Sequence, residues 1–230
     1  MDPEVAKRAA ADAAVALVED GMSVGLGSGS TARWFIENLG ARVRDGLDIR
    51  GVPTSQATAS LAQAHGIPLM ELGRDDLDLA VDGADAVDQD LRLIKGRGAA
   101  MLREKVVATA AWRFVVIVDD SKLCTRLGGR VPVELVTFGA PHTIALLEST
   151  GAQFIVRTGD GGAPMLTDNG NLIADGEYAP IDDPEGLAQR IEAIPGVVGH
   201  GLFLGMADLV VVGRADGSVQ RLTPRRRNAG

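Results

Sequence analysis

Short apolar runs alternate with helical periods along the first half of the chain, and glycine or proline punctuates almost every junction. The runs at 23–26, 49–52, 68–72, 77–81 and 114–118 read as strands. The segments at about 3–18, 31–43 and 56–65 carry helical spacing, the first opened by Asp2 as N-cap with Pro3 at the first helical position. Strands that alternate with helices in this way build a parallel, doubly wound α/β sheet. Hydrophobic residues make up 46% of the chain but aromatics only 3%, so the core must come from Val, Leu, Ile and Ala, as buried parallel strands use.

The pattern changes near Gly128-Gly129. A strand at 132–136, a helix at 141–150, a strand at 152–157, segments 164–167 and 172–175 flanking a turn, and a helix at 184–194 follow, with a further strand after Gly196. The Asp168-Asn169-Gly170-Asn171 stretch suits a hairpin turn. This β-α-β-β-α order predicts a small split-βαβ, ferredoxin-like α+β domain. Runs at 209–212 and 219–222 are expected to rejoin the main sheet. The expected domains are therefore 1–128 plus 205–230, and 129–204.

Net charge of −8 argues against a nucleic-acid or anionic-membrane surface, and the Pro224-Arg225-Arg226-Arg227 cluster reads as a solvated tail. A single cysteine, Cys124, excludes an internal disulfide and fits a reducing compartment. His65, His142 and His200 lie far apart, without zinc-ligand spacing, while carboxylate-bound magnesium stays open on this ground. The chain shows no basic-then-apolar start and no run of 18 apolar residues, so a cytoplasmic protein is expected.

Four segments carry candidate chemistry. Gly25-Leu26-Gly27-Ser28-Gly29-Ser30-Thr31 joins a strand to a helix, where backbone N–H groups and hydroxyls suit a phosphate. It lacks the Lys of a P-loop, and Ser30 takes the last glycine place of a dinucleotide fingerprint. Asp82-Gly83-Ala84-Asp85 follows an apolar run at a strand's C-terminal end, where α/β sheets bind ligands. Asp119-Asp120-Ser121-Lys122 ends another such run, and Lys95-Gly96-Arg97-Gly98 follows 91–94 in a similar way. All four are expected at one rim of one sheet. After the last of them a helix places Glu104 in the middle of a small apolar face, because at about 100° per residue Ala100, Met101, Val107, Ala108 and Ala111 fall around it. A carboxylate held there suits proton transfer, the alternative being a structural core ion pair. Together these groups point to acid–base work on a phosphorylated small molecule.

The segments Gly-Leu-Gly-Ser-Gly-Ser-Thr-Ala (25–32), Val-Asp-Gly-Ala-Asp (81–85), Ile-Lys-Gly-Arg-Gly-Ala-Ala (94–100) and Arg-Glu-Lys (103–105) closely resemble type A ribose-5-phosphate isomerase. Thr-Asp-Asn-Gly-Asn (167–171), Ile-Pro-Gly-Val-Val (194–198) and Gly-Leu-Phe (201–203) match as well. The resemblance implies a Rossmann-like main domain beside the small α/β domain, no metal or other cofactor, and a homodimer or homotetramer. It implies interconversion of ribose 5-phosphate and ribulose 5-phosphate in the non-oxidative branch of the pentose phosphate pathway. Glu104 would be the proton acceptor, with Lys95, Asp82 and Asp85 sharing the catalysis. Ser28, Gly29, Ser30, Thr31, Gly83, Ala84, Gly96, Arg97, Gly98 and Lys122 would line the substrate.

Two departures stand out: Arg97 where the family prefers glycine, which tests the loop's backbone, and Ser28 for a common threonine. A non-catalytic sugar-phosphate sensor, a nicotinamide-dependent oxidoreductase and a related phosphosugar isomerase or deaminase are the competing readings.

Overall fold

The computed structural model describes residues 3–159 and 161–224, so Asp2 and the arginines at 225–227 lie outside the described residues. In chain order the elements are α1 (Pro3–Val15), β1 (Ser23–Leu26), α2 (Ser30–Arg44), β2 (Arg50–Pro53), α3 (Gln56–Ala64), β3 (Leu79–Asp82), β4 (Ala86–Val87), β5 (Leu93–Ile94), α4 (Met101–Thr109) and β6 (Phe114–Asp119). Then come β7 (Gly129–Leu135), α5 (Ala140–Glu148), β8 (Gln153–Val156), β9 (Leu172–Tyr178), α6 (Pro184–Glu192), β10 (Val197–His200), β11 (Leu202–Phe203), β12 (Leu209–Gly213) and β13 (Val219–Leu222). They fall into two compact units. One holds the chain up to Ala84, Arg103–Leu123 and the chain from Gly205 on; the other holds Asp85–Leu102 and Cys124–Leu204.

The first unit is a six-stranded sheet in the order β13-β12-β6-β3-β1-β2, parallel except for the β12–β13 hairpin. Alternate residues Val24, Leu26, Leu79, Val81, Val115, Ile117, Leu209 and Val211 form one face and share a core with Ala10, Ala14, Phe35, Ile36 and Leu39 of α1 and α2. On the opposite face a methyl group on Gly25 would meet Val107 Cγ1 at 2.4 Å and the Ala80 side chain at 2.9 Å. Only a residue without Cβ lets α4 approach that closely.

The second unit contains a four-stranded antiparallel sheet in the order β10-β7-β9-β8, laid down by a β-α-β-β-α-β chain, the split-βαβ topology expected. It also contains a three-stranded antiparallel sheet, β11-β5-β4. Thr167–Asn171 makes the turn before β9, and its polar groups are absorbed by the fully buried Glu134. That carboxylate's Oε1 accepts from Thr167 Oγ1 (2.9 Å), Asn169 Nδ2 (3.2 Å) and Asn171 Nδ2 (2.9 Å).

Four expectations need correction. α1 stops at Val15 rather than near Val18, because the next turn tightens and Arg42 from α2 caps the freed carbonyls of Val15 and Val18, each at 2.8 Å. Residues 68–72 form no strand: Pro68 and Met70 bond only to Gly51, one isolated bridge, before the chain departs. Residues 164–167 likewise give isolated bridges only. Lys95 follows β5, which belongs to the three-stranded sheet and not to the main one. Two residues paired antiparallel on both sides have no place in a parallel ladder.

Register at the centre of the main sheet is set by Asp78. Its Oδ2 accepts from Ser23 N–H at 2.7 Å and Ser23 Oγ at 2.8 Å, tying the start of β1 to the approach to β3. These bonds hold the Asp78 carboxyl below its ordinary value, against a small opposing effect of burial. A depressed carboxyl stabilises the fold above its unfolded pKa and loses that contribution as pH falls through the folded one. Denaturant midpoints of wild type and Asp78→Asn should therefore differ most at neutral pH and converge in acid below about pH 4. A gap of constant size down to strong acid contradicts the assignment.

Candidate active site

The strand order reverses between β1 and β3: β2 lies on one side of β1, while β6 and β12 continue beyond β3. At such a reversal the loops leaving two neighbouring parallel strands diverge and open a crevice at their C-terminal ends. The loops there are Gly27–Gly29 after β1 and Asp82–Ala84 after β3, with Asp119–Lys122 following on the next strand.

Asp82 ties the first two loops together. It is only 3% exposed, and its Oδ1 accepts from Ser28 N–H at 3.0 Å and from its neighbour Gly83 N–H at 2.7 Å. A methyl group on Gly27 would come within 2.2 Å of that same oxygen, so the glycine is the space the carboxylate needs. Beyond it Gly29, at φ 96, opens α2 with no side-chain cap. The first N–H groups of a 15-residue helix therefore begin at the exposed Ser30 and the buried Thr31, at the positive end of the helix dipole.

The Ser28 hydroxyl sits in a cluster that sequence reasoning missed. Thr54 Oγ1 (2.9 Å), Ser55 Oγ (3.0 Å) and Thr58 Oγ1 (3.0 Å) surround it. Thr54 and Thr58 are buried, and both anchor to loop carbonyls, Leu26 O and Gly27 O, at 3.0 Å. Ser55 caps α3 by accepting from Thr58 N–H at 3.0 Å. The available signal was the Pro53-Thr54-Ser55 stretch, three residues of turn and cap chemistry at the end of a strand parallel to β1. Serine at position 28 supplies the one group this cluster uses, its hydroxyl.

Glu104 lies on α4 as expected. It is 5% exposed among the buried Met101, Val107 and Ala108, with Arg103 and Lys105 half-buried to either side. Lys122 is half-buried in a short 3-10 turn whose start is capped by Asp119, which accepts from Ser121 N–H at 3.1 Å.

In the second unit Lys95 is 3% exposed. Its N–H donates to Gly201 O at 2.8 Å, and its ammonium lies 5.4 Å from the Phe203 ring centroid, within cation–π range. The loop after it answers the question raised by Arg97. The left-handed positions are Gly96 (φ 113) and Ala99 (φ 64), and Arg97 is not among them. Arg97 therefore suffers no glycine-type strain, and its side chain is 76% exposed. Its N–H donates to Asp85 Oδ2 at 3.0 Å, while its Nε stays 3.9 Å from Asp85 Oδ1. Among the described residues no group of three or more His, Cys, Asp or Glu side chains is placed to hold a metal ion, and no helix is long and apolar enough to cross a membrane.

A doubly wound, largely parallel sheet whose strand order reverses between β1 and β3, with a glycine loop opening α2 at that point, places the chain among the α/β proteins. Its relatives narrow that class. Residues 50–217 match the family model described as ribose 5-phosphate isomerase A (phosphoriboisomerase A). A ribose-5-phosphate isomerase A of Roseiflexus castenholzii is 53% identical over 97% of this chain and 98% of its own. A D-ribose-5-phosphate isomerase solved in complex with phospho-erythronic acid superposes with a TM-score of 0.93 at 41% identity, covering 97% of this chain and all of that one. The ribose 5-phosphate isomerase A structure from Methanocaldococcus jannaschii gives 0.90 at 43%, covering 94% and 97%. The chain belongs to the ribose 5-phosphate isomerase A family.

Removing the Asp82 carboxylate leaves two N–H groups without their acceptor. Asp82→Ala should cost about 2–4 kcal/mol in urea unfolding, and Asp82→Asn, which keeps an acceptor oxygen, about half as much. Equal stability of Asp82→Ala and wild type contradicts the clamp.

Proposed function

We propose that the protein interconverts ribose 5-phosphate and ribulose 5-phosphate by proton transfer through a cis-enediolate, serving the non-oxidative branch of the pentose phosphate pathway. The observation that carries this reading is Glu104, a carboxylate buried on the small apolar face of α4 in a chain of this family. The relative's complex with phospho-erythronic acid supports it too, since a sugar acid phosphate offers a planar carboxylate in place of an enediolate.

In this mechanism the sugar opens first, with Asp82 or Asp85 assisting the proton movement. Glu104 takes the proton from C2 of the aldose. The electron pair released forms the C1–C2 double bond, and negative charge gathers on the former carbonyl oxygen. Lys95 stabilises that charge, which is larger in the transition state than in the ground state, so its contribution falls on the rate. Glu104 returns the proton to C1 while the O2 hydroxyl proton moves to O1, which leaves a C2 carbonyl with all atoms conserved. Ser28, Gly29, Ser30, Thr31 and Lys122 hold the phosphate and hydroxyls, and Gly83, Ala84, Gly96, Arg97 and Gly98 supply backbone to the substrate.

A coupled assay for ribulose 5-phosphate, run with a metal chelator present, tests the reading. Glu104→Gln should lose about 10²–10⁴-fold in kcat with KM little changed, because an amide binds but cannot carry the proton. Near-normal turnover by Glu104→Gln sinks the assignment. Activity confined to another phosphosugar changes the substrate and leaves the chemistry in place.

A further inference from the structure

Arg157 stands just beyond β8, about sixty residues along the chain from the Lys95–Gly98 loop, yet its guanidinium is committed to that loop. Nη1 donates to Gly96 O and to Arg97 O, both at 2.9 Å. The other side of the fork is held by Asp175 of β9, through Nε to Oδ2 at 2.9 Å and Nη2 to Oδ1 at 2.5 Å. Both side chains are only 14% exposed. From these contacts we infer that Arg157, oriented by Asp175, is a positioning residue that sets the peptide planes of the Lys95–Gly98 loop for the substrate.

The argument runs through peptide planarity. A trans peptide whose C=O faces the guanidinium must turn its N–H the opposite way. The Gly96 carbonyl and the Arg97 N–H share one peptide, and that N–H donates to Asp85 Oδ2 at 3.0 Å. The plane is therefore gripped at both ends, by a cation at its oxygen and a carboxylate at its N–H. The Arg97 carbonyl and the Gly98 N–H share the next peptide, so holding the first aims the second outward from an exposed residue. A cation on the carbonyl also polarises each peptide and strengthens its N–H as a donor. Arg157 thus acts on Asp85 and on the Gly98 amide without touching substrate. Arginine suits the task because its planar fork serves a carboxylate and two carbonyls at once, which the single ammonium of lysine cannot.

This inference rests on the assignment of the loop to the substrate made above, and two readouts keep the two claims apart. In the isomerase assay Arg157→Ala should lower kcat/KM by about 10²-fold, the size expected when a reacting group is slightly misplaced. Arg157→Lys should recover little of that loss, whereas millimolar guanidinium should restore Arg157→Ala substantially, as it cannot do for a general folding defect. Without substrate, amide hydrogen exchange at Arg97, whose N–H is held by Asp85, should speed up at least tenfold in Arg157→Ala while Leu209–Gly213 stays as in wild type. Kinetic constants of Arg157→Ala within threefold of wild type, or a loss that guanidinium leaves untouched, overturn the role in catalysis. Unchanged exchange at Arg97 overturns the brace itself. A wild type inactive on ribose 5-phosphate sinks the functional reading alone, since the exchange experiment needs no substrate.

Discussion

A single oxygen, Asp82 Oδ1, holds the backbone of both loops at the point where the strand order reverses. It accepts from Ser28 N–H and Gly83 N–H, one on each side of the crevice. Each of those N–H groups would cost about 1–3 kcal/mol if left buried without an acceptor. The demand propagates outward. Gly27 has no side chain because the carboxylate occupies that space, Gly29 takes a positive φ to start α2, and the Ser28 hydroxyl is brought to the Thr54, Ser55 and Thr58 cluster. Asp78 does related work at the other end of the same strand pair, through Ser23.

The second unit fixes its loop by the complementary device. Where Asp82 catches N–H groups, Arg157 catches carbonyls, with Asp175 balancing its charge. Either method removes the freedom of a peptide plane, and a loop stripped of that freedom presents its amides without an entropic cost at binding. The residue type at the tip then matters little, provided its φ is ordinary. That is why Arg97 is accommodated: the left-handed turns fall on Gly96 and Ala99 instead.

Much of this was legible in the sequence, and the reasons are local. β1 was readable residue for residue because it is a short apolar run closed by Gly27. The face of α4 was readable because helical periodicity alone puts Glu104 between Met101, Val107 and Ala108. The position of Lys95 was not. An apolar run before a lysine looks the same in a parallel ladder as in a two-residue antiparallel strand, and only the distant partner Leu202–Phe203 decides between them. The hydroxyl cluster and the Arg157 brace were hidden for a related reason. The partners of Ser28 lie 26 to 30 residues away and those of Arg157 18 to 61, and single serines, threonines and arginines carry no spacing signal. The Thr167–Asn171 turn could be read as a turn but not as the means of satisfying Glu134, a buried carboxyl group with nothing in its own segment to announce it.

An enediolate mechanism with a carboxylate base has a direct isotopic consequence. In the proposed mechanism, a proton taken from C2 by Glu104 can exchange with water before it reaches C1. Proton NMR of the reaction in deuterium oxide should therefore show solvent deuterium at C1 of the ribulose 5-phosphate formed by the wild type, and none appearing at a comparable rate with Glu104→Gln. Complete retention of the C2 hydrogen at C1, even when turnover is slow enough for a carboxylic acid proton to exchange with water, would mean hydride transfer. Undiminished exchange by Glu104→Gln would mean another base. Either result would contradict the central role given to this residue.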